Sequence, residues 1–240
     1  VGSHVSALPK EVLNNDFVDC VLLNEGVYAL HELAASNLNK ISLSKIKGIG
    51  YKDEENKLIL NEPQIVVPQD KIDQDLPGYA WDLLPYEKTP LDLYRAHFWH
   101  TGFSHEKRTP FAAIYTTLGC KFSCDFCMIN ILNRSDNEDN INSSHSSIMR
   151  GWSSDLLLNE FEKLASYGVE TIRISDEMFF LNKNYYEPLL NGIIDRGLKF
   201  NLWAYSRIDT VREKYLDLFK KAGINWLALG IESANQNVRF

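Results

Sequence analysis

Three of the chain's four cysteines lie within eight residues, and this cluster constrains the fold and the chemistry more than any other feature. Cys120, Cys124 and Cys127 are spaced C-x3-C-x2-C, and they follow the apolar run from Phe111 to Thr117. Such a run is typical of a β-strand, so the thiols are predicted on a loop at the strand's carboxyl end. Lysine, serine and aspartate stand between them, whereas free structural cysteines usually lie in apolar cores.

Several kinds of site could use three such thiols. A disulfide would pair two and leave the third over, and a closed structural zinc site needs four ligands. An iron–sulfur cubane can be held by three protein thiolates, which leaves its fourth iron open to another molecule, although typical ferredoxin runs have other spacings. The residues alone therefore leave zinc and iron–sulfur ligation open. Cys20, in the apolar run from Phe17 to Leu23, is predicted to be a core residue instead.

Composition restricts the class of protein. A hydrophobic content of 45% and a charged content of 24% are ordinary for a soluble globular protein. No apolar run approaches the roughly 20 residues that span a bilayer, so no membrane span is expected. The net charge of −7 argues against broad nucleic-acid binding. Clustered thiols suit a reducing cytosol, and an exposed metal cluster would favour anaerobic chemistry, so we expect a cytoplasmic protein.

Strand and helix patterns alternate after residue 111, which predicts an α/β fold. Strand patterns lie at residues 111–117, 170–174, 199–204 and 225–229. Helical patterns lie at 154–167 and at 185–196, where Pro188 is near the start, and the capping box Thr210-x-x-Glu213 predicts a third helix. About four strands joined by helices predict a parallel sheet, curled into part of a (β/α) barrel with apolar strand interiors.

Polar residues follow each predicted strand of the barrel. Beyond the cysteines these are Ser175, Asp176 and Glu177, then Ser206 and Arg207, then Glu232 and Ser233. Ordinary loop polarity could explain any one group, but barrels place their active-site residues at the carboxyl ends of the strands. The recurrence therefore predicts a site at that edge of the sheet.

The first 110 residues read as a separate region. The pattern of residues 1–85 predicts a small α/β domain with a strand over 17–23, a helix over 27–35 and a hairpin across 53–56. A linker is predicted over 86–110, and the barrel domain over 111–240. His97, His100 and His105 in the linker lack a cysteine or carboxylate at a recognised metal spacing, so packing is preferred for them. The polar stretch 133–147 is predicted to be a surface loop, with a lid near the substrate as the alternative.

The cysteine run, with Phe126 directly before the third cysteine, resembles the radical S-adenosylmethionine (SAM) superfamily. The resemblance implies that Cys120, Cys124 and Cys127 hold a 4Fe–4S cluster whose open iron chelates the amino and carboxylate groups of SAM. One electron, from a reductant protein such as flavodoxin or ferredoxin, then cleaves SAM to a 5′-deoxyadenosyl radical. The resemblance also implies cofactor-binding roles for Phe126, Ser175, Asp176, Glu177, Ser206, Arg207, Glu232 and Ser233.

These residues contact different parts of SAM in the family. The resemblance assigns the backbone of Phe126 to adenine and the Ser175-Asp176-Glu177 motif to the amino group. It assigns Arg207, in a Ser-Arg-x-Asp motif with Ser206, to the carboxylate, which suits the bidentate guanidinium. Glu232 and Ser233 are assigned to the ribose.

The region before the barrel is similar to the second half of the cobalamin-binding domain that precedes many radical SAM domains. The similarity rests on Val1 to Ser6 followed by Leu8-Pro9, on Asn24 to Val27, and on the connector from Leu76 to Pro85. It implies the C-terminal half of a Rossmann-like fold, with cobalamin as a further cofactor and a cobalt-ligating histidine before Val1. A small α/β domain without a ligand is the alternative, and the chain is expected to be a piece of a longer enzyme.

The expected function is reductive cleavage of SAM for cobalamin-dependent methyl transfer or cyclisation on an unknown small molecule. A non-catalytic zinc-binding or interaction module is the alternative. A nucleic-acid-modifying radical enzyme is disfavoured by the acidic balance.

Overall fold

The computed structural model describes residues 1–36, 40–89, 110–122, 124, 126–129, 131 and 148–239. The chain divides into two compact units, one of Val1–Leu76 with Gly119–Arg150 and one of Pro77–Leu118 with Gly151–Phe240. The three linker histidines and the polar stretch 133–147 lie outside the described residues. No helix among the described residues has both the length and the apolar composition needed to cross a bilayer.

The first unit is built on a small antiparallel sheet. Its helices are α1 (Ser3–Ala7), α2 (Pro9–Leu13), α3 (Val27–Ala35), α4 (Lys40–Leu43) and α5 (Ile72–Asp75), and its strands are β1 (Cys20–Leu22), β2 (Ile49–Lys52) and β3 (Leu58–Leu60). The strand order is β1-β2-β3, with both pairs antiparallel. The predicted hairpin is confirmed, and Asn56 closes its turn with a φ of 60°.

The core of this unit lies on both sides of β1. Leu22 packs with Ala29 of α3 and Ile49 of β2, and Cys20 packs half-buried against the same cluster, as predicted for a core residue. The predicted strand start is wrong, because Phe17 is 95% exposed and pairing begins at Cys20. An apolar run alone did not separate the paired residues from the turn that precedes them.

The second unit is built on a parallel sheet, as predicted. The strands after β3 are β4 (Phe111–Ile114), β5 (Thr117–Gly119), β6 (Met149–Gly151), β7 (Thr171–Ile174), β8 (Asn201–Arg207) and β9 (Ile224–Gly230). The remaining helices are α6 (Ser154–Ser166), α7 (Lys183–Asp195), α8 (Leu216–Lys221) and α9 (Gln236–Arg239). Strands β4, β7, β8 and β9 form the parallel sheet in that order, which is the sequential order of a (β/α) barrel. Strands β5 and β6 pair with each other, and the division between the units falls within both of them.

Local signals explain where the first two barrel helices begin. The Ser153 hydroxyl accepts a hydrogen bond from the Leu156 amide at 3.2 Å and caps α6, which ends before Gly168 in the left-handed region. The Asn182 side chain caps α7 by accepting from the Asn184 amide at 3.1 Å. The helix therefore begins earlier than predicted and Pro188 lies inside it.

The predicted capping box does not start the third helix. The Thr210 hydroxyl donates to the Arg207 carbonyl at 2.9 Å and lies 2.6 Å from the Ser206 hydroxyl, so it stabilises the end of β8. Two short 3-10 turns follow, and α8 begins only at Leu216. The Ser/Thr-x-x-Glu pattern is shared with turns in which the hydroxyl bonds the preceding backbone.

The two faces of the parallel sheet differ in character. One face is buried and apolar along β4, β7 and the first part of β8, and it includes Ile114, Ile172 and Ala204. The opposite face is half-buried and carries Arg173 on β7 and Trp203 on β8, which are paired in the register. The prediction of apolar strand interiors therefore holds for one face only, because side chains alternate between faces and the overall hydrophobicity of a strand averages them.

Candidate active site

The carboxyl ends of β7, β8 and β9 bring the predicted polar groups to one edge of the sheet. Parallel strands end on the same side, so the residues after β7 and β9 share this edge with the last two residues of β8. The register pairs Ser206 with Leu229 and Arg207 with Gly230. The edge therefore gathers three of the four polar groups that the sequence predicted at the strand ends, and the fourth group, the cysteines, belongs to the first unit.

Asp176 lies wholly inside the protein and joins two strand ends. Its carboxylate accepts hydrogen bonds from the Thr116 amide at 2.6 Å, the Thr116 hydroxyl at 2.5 Å and the Thr117 hydroxyl at 2.7 Å. Burial raises the pKa of Asp176 to about 6, while the hydrogen bonds from the two threonines act to lower it. Asp176 thus fixes the chain that leaves β4, and Thr117 is only three residues before Cys120 in the sequence.

Glu177 is the residue of this group that has an unused hydrogen-bond acceptor. Among the described residues, its buried Oε2 atom has no hydrogen-bond partner. Burial raises the pKa of Glu177 to about 7; its own backbone amide acts against this rise and the Asp176 charge adds to it. A buried carboxylate oxygen without a donor is costly, and a cationic ligand would offset that cost.

Ser206 and Arg207 have different environments. Ser206 is buried, and its hydroxyl lies against Thr210. The Arg207 guanidinium binds Asp209 through two hydrogen bonds of 3.0 and 2.8 Å, which lower the pKa of that carboxyl. The Arg207 side chain is 42% exposed, and exposed ion pairs of this kind contribute little free energy, so a ligand carboxylate can compete for the guanidinium.

The segment after β9 makes a tight turn. Glu232 has a φ of 62°, in the left-handed region that non-glycine residues seldom occupy. The Ser233 amide donates to the Ile231 carbonyl at 2.7 Å, and the Ser233 hydroxyl accepts from the Asn235 amide at 3.1 Å. Glu232 is exposed at this turn. Unfavourable backbone geometry of this kind often occurs at ligand-binding positions.

The cysteine loop belongs to the first unit. All four cysteines of the chain, each among the described residues, carry free thiols. Cys120 is buried and accepts a hydrogen bond from the Phe122 amide at 3.5 Å, while the Cys127 amide donates to the Cys124 carbonyl at 3.0 Å. No group of three or more histidine, cysteine, aspartate or glutamate side chains is arranged to hold a metal ion in the described part of the chain, so the thiols do not converge. Phe126 is 72% exposed.

The donor set of this loop fits an iron–sulfur cluster. Three soft thiol ligands are available, and Cys124 and Cys127 are half-buried rather than enclosed. The amide of Phe122 already donates to a sulfur, which is a contact that tunes the potential of protein-bound clusters.

Two features of the second unit were missed by the sequence reasoning. The hydroxyl of Tyr79 donates to the Tyr115 carbonyl at 3.1 Å and accepts from the Tyr115 amide at 2.8 Å, so it secures the end of β4. No sequence signal marks this long-range contact. Arg173 and the aromatic face of β8 could have been found, because Trp203 and Tyr205 stand at alternate positions of a strand.

Comparison with known proteins adds to this geometry. Residues 114–240, more than half of the chain, match the Radical SAM superfamily. The chain is 28% identical over 239 residues to an uncharacterized methyltransferase of Pyrococcus horikoshii, covering 99% of this chain and 45% of the relative. It is 22% identical over 231 residues to an anaerobic magnesium-protoporphyrin IX monomethyl ester cyclase of Synechocystis, covering 91% and 38%.

A solved structure shares the fold. It is the radical S-adenosylmethionine methyltransferase TsrM from Kitasatospora setae with cobalamin and a [4Fe–4S] cluster bound; the TM-score is 0.64 at 17% identity, covering 98% of this chain and 42% of the other. The chain thus spans less than half the length of the relatives it matches. With the family match over most of the barrel region and the agreement in fold, the chain belongs to the radical SAM superfamily.

Proposed function

We propose that this chain is part of a radical SAM enzyme that cleaves SAM reductively, using a 4Fe–4S cluster held by Cys120, Cys124 and Cys127. The observation that carries the proposal is the loop of three free thiols in a chain of this superfamily. When bound, the cluster would supply the electron that converts SAM to a 5′-deoxyadenosyl radical.

The residues at the sheet edge then bind different groups of SAM. The unpartnered oxygen of Glu177 accepts a hydrogen bond from the SAM amino group, since a buried carboxylate oxygen is costly to leave without a donor. Arg207 exchanges its contact with Asp209 for the SAM carboxylate. Asp176 acts as a positioning residue, because its oxygens already serve the two threonines.

The other predicted contacts complete the SAM site. Glu232 and Ser233 contact the ribose, and their turn presents both residues at the end of β9. The backbone at Phe126 contacts adenine. Ser175 precedes Asp176 and Glu177 in the motif proposed for the SAM amino group, and Ser206 supports the turn that carries Arg207.

The net reaction is methyl transfer or cyclisation on a small molecule, as the names of the relatives suggest for those proteins. Residues 1–85 are proposed to be the end of a cobalamin-binding domain, 86–110 a linker and 111–240 the barrel domain. Cobalamin is accordingly a proposed third cofactor. A cytoplasmic flavodoxin or ferredoxin is the proposed reductant, and neither nucleic acid nor a membrane is a proposed partner.

Metal analysis after anaerobic reconstitution tests the cluster assignment. We expect about four irons and about four acid-labile sulfides per chain, and cleavage of SAM on addition of dithionite. Cys124→Ala should lose both, whereas Cys20→Ala, which removes a thiol outside the loop, should retain both. Bound zinc without iron would overturn the proposal in favour of a structural metal site, and an intact cluster in Cys124→Ala would overturn the assignment of the cluster to these cysteines.

A further inference from the structure

The half-buried face of the parallel sheet carries a cation that the proposed SAM contacts do not use. Arg173 is the third residue of β7, between Ala113 of β4 and Trp203 of β8 in the register. An arginine in the middle of a short barrel strand sacrifices apolar contacts and side-chain entropy. Its presence on this face therefore needs an explanation beyond packing.

The contacts of Arg173 leave its charge without a counter-ion in the described part of the chain. Its Nε donates to the Ser175 hydroxyl at 3.1 Å, and the guanidinium carbon lies 5.8 Å from the centroid of the Trp203 ring. Both partners are neutral, and no ion pair joins Arg173 to a carboxylate of the described residues. The two terminal nitrogens make no hydrogen bond to these residues and remain able to donate in parallel.

Two aromatic rings lie on the same face of the sheet as this cation. Trp203 and Tyr205 stand two residues apart on β8, with ring centroids 5.1 Å apart and planes inclined by 39°. Arg173 also acts electrostatically on Tyr115, which follows β4. The hydrogen bond to Ser175 directs the guanidinium toward the carboxyl edge of the sheet, where Glu177 lies two residues further on.

We propose that Arg173 binds an anionic group of the substrate, a carboxylate or a phosphate, while a planar part of the substrate packs on Trp203 and Tyr205. The proposal rests on the proposed function, since it assigns the substrate class of the same barrel. A forked guanidinium is suited to two parallel hydrogen bonds to either anion, and the tryptophan face stabilises the cation. SAM also carries a carboxylate, but Arg207 at the end of β8 is assigned to it, so the second arginine is left for the substrate.

Binding of a simple aromatic anion tests this assignment without knowledge of the natural substrate. Phenyl phosphate is titrated into the reconstituted protein by calorimetry, with inorganic phosphate as the comparison without a ring. The wild type should bind phenyl phosphate more tightly than phosphate. Arg173→Gln should weaken phenyl phosphate binding about tenfold or more, and Arg173→Lys should weaken it less, since the lysine keeps the charge and loses the fork. Arg212→Gln, which removes an exposed arginine elsewhere in the unit, should change nothing.

SAM binding, measured by equilibrium dialysis, distinguishes a substrate anion from the SAM carboxylate as the partner of Arg173. Under the proposal, Arg173→Gln keeps SAM affinity within about twofold, since none of the proposed SAM contacts is made by Arg173. Weakened SAM binding with unchanged phenyl phosphate binding would assign Arg173 to the cofactor and overturn the proposal. Equal binding of phenyl phosphate by wild type and Arg173→Gln, or no binding by the wild type, would overturn it as well. Failure of the proposed function is separately visible, because it removes iron and SAM cleavage from the wild type and leaves probe binding measurable.

Discussion

Glu177 predicts a pH dependence that a merely structural carboxylate would not show. Burial holds its pKa at about 7, so the group is mostly protonated at pH 5.5 and half ionised at pH 7. An amino group that coordinates the open iron of the cluster is uncharged and donates its hydrogens. The ionised carboxylate is a stronger acceptor for them than the protonated carboxyl, because hydrogen bonds to a charged acceptor are about twice as strong as neutral ones. SAM affinity should therefore rise about tenfold between pH 5.5 and 7.

Equilibrium dialysis with labelled SAM at several pH values checks this expectation. Glu177→Gln should bind SAM more weakly at pH 7 and lose most of the slope, because its amide does not titrate. Glu213→Gln, an exposed carboxyl of the same unit, should keep the wild-type curve. A pH-independent affinity in the wild type, or an unchanged slope in Glu177→Gln, would contradict the assignment of the SAM amino group to Glu177.

At the scale of elements, Asp176 links the end of β7 to the chain that leaves β4. Replacing it with alanine leaves the Thr116 amide and two hydroxyls buried without their acceptor, at a cost of about 1–3 kcal/mol for each unsatisfied group. We expect Asp176→Ala to lower the free energy of unfolding in urea by about 2–4 kcal/mol. Asp195→Ala, at the exposed end of α7, should change it by less than about 0.5 kcal/mol. A difference below about 1 kcal/mol between the two variants would show that this link is not structural.

The same carboxylate affects stability in a definite direction as the pH changes. Its folded pKa of about 6 lies above the unfolded value, so the folded chain holds the proton more tightly. The free energy of unfolding should therefore gain a contribution below about pH 4 that is lost as the pH rises to 6. The difference between wild type and Asp176→Asn, measured by urea unfolding from pH 4 to 7, should change across this window, and a constant difference would contradict the assigned pKa.

Much of this element-scale arrangement could be predicted from the sequence, and the failures have physical causes. The 3.6-residue pattern of α6 and its flanking Ser153 and Gly168 are local signals, and they placed that helix within one residue. Thr210 failed as a signal because its hydroxyl has two competing uses, a helix cap and a bond to the preceding carbonyl. The Asp176 triplet was predicted as a ligand group, but the sequence could not show that Asp176 turns inward and Glu177 keeps a free oxygen. That distinction depends on Thr116, which is 60 residues away in the chain.

At the scale of the whole molecule, the first unit combines two separate segments, and one buried ion pair joins them. The Arg150 guanidinium, 3% exposed, donates to Glu25 at 2.7 and 3.1 Å and also bonds the Val67 carbonyl. Glu25 in turn accepts from the Val67 amide at 2.7 Å. The pair thus links the two segments of the first unit. One begins at Gly119 and contains the three cysteines, and the other begins at Val1.

Removing one partner of this pair should affect both stability and cluster content. Glu25→Gln leaves a buried guanidinium without its counter-charge, which typically costs about 3–5 kcal/mol. Arg150→Met should cost a similar amount, and the double variant less than the sum, because each single change leaves the other charge unpaired. Urea unfolding measures these effects, and hydrogen exchange in residues 119–131 reports whether the cysteine segment opens.

Since a loosened segment holds its thiols less firmly, iron content after reconstitution should fall in both single variants. His4→Gln, which breaks only the exposed pair with Glu11, should leave the iron content unchanged. Full iron content in a destabilised Glu25→Gln protein would show that cluster assembly does not depend on this closure.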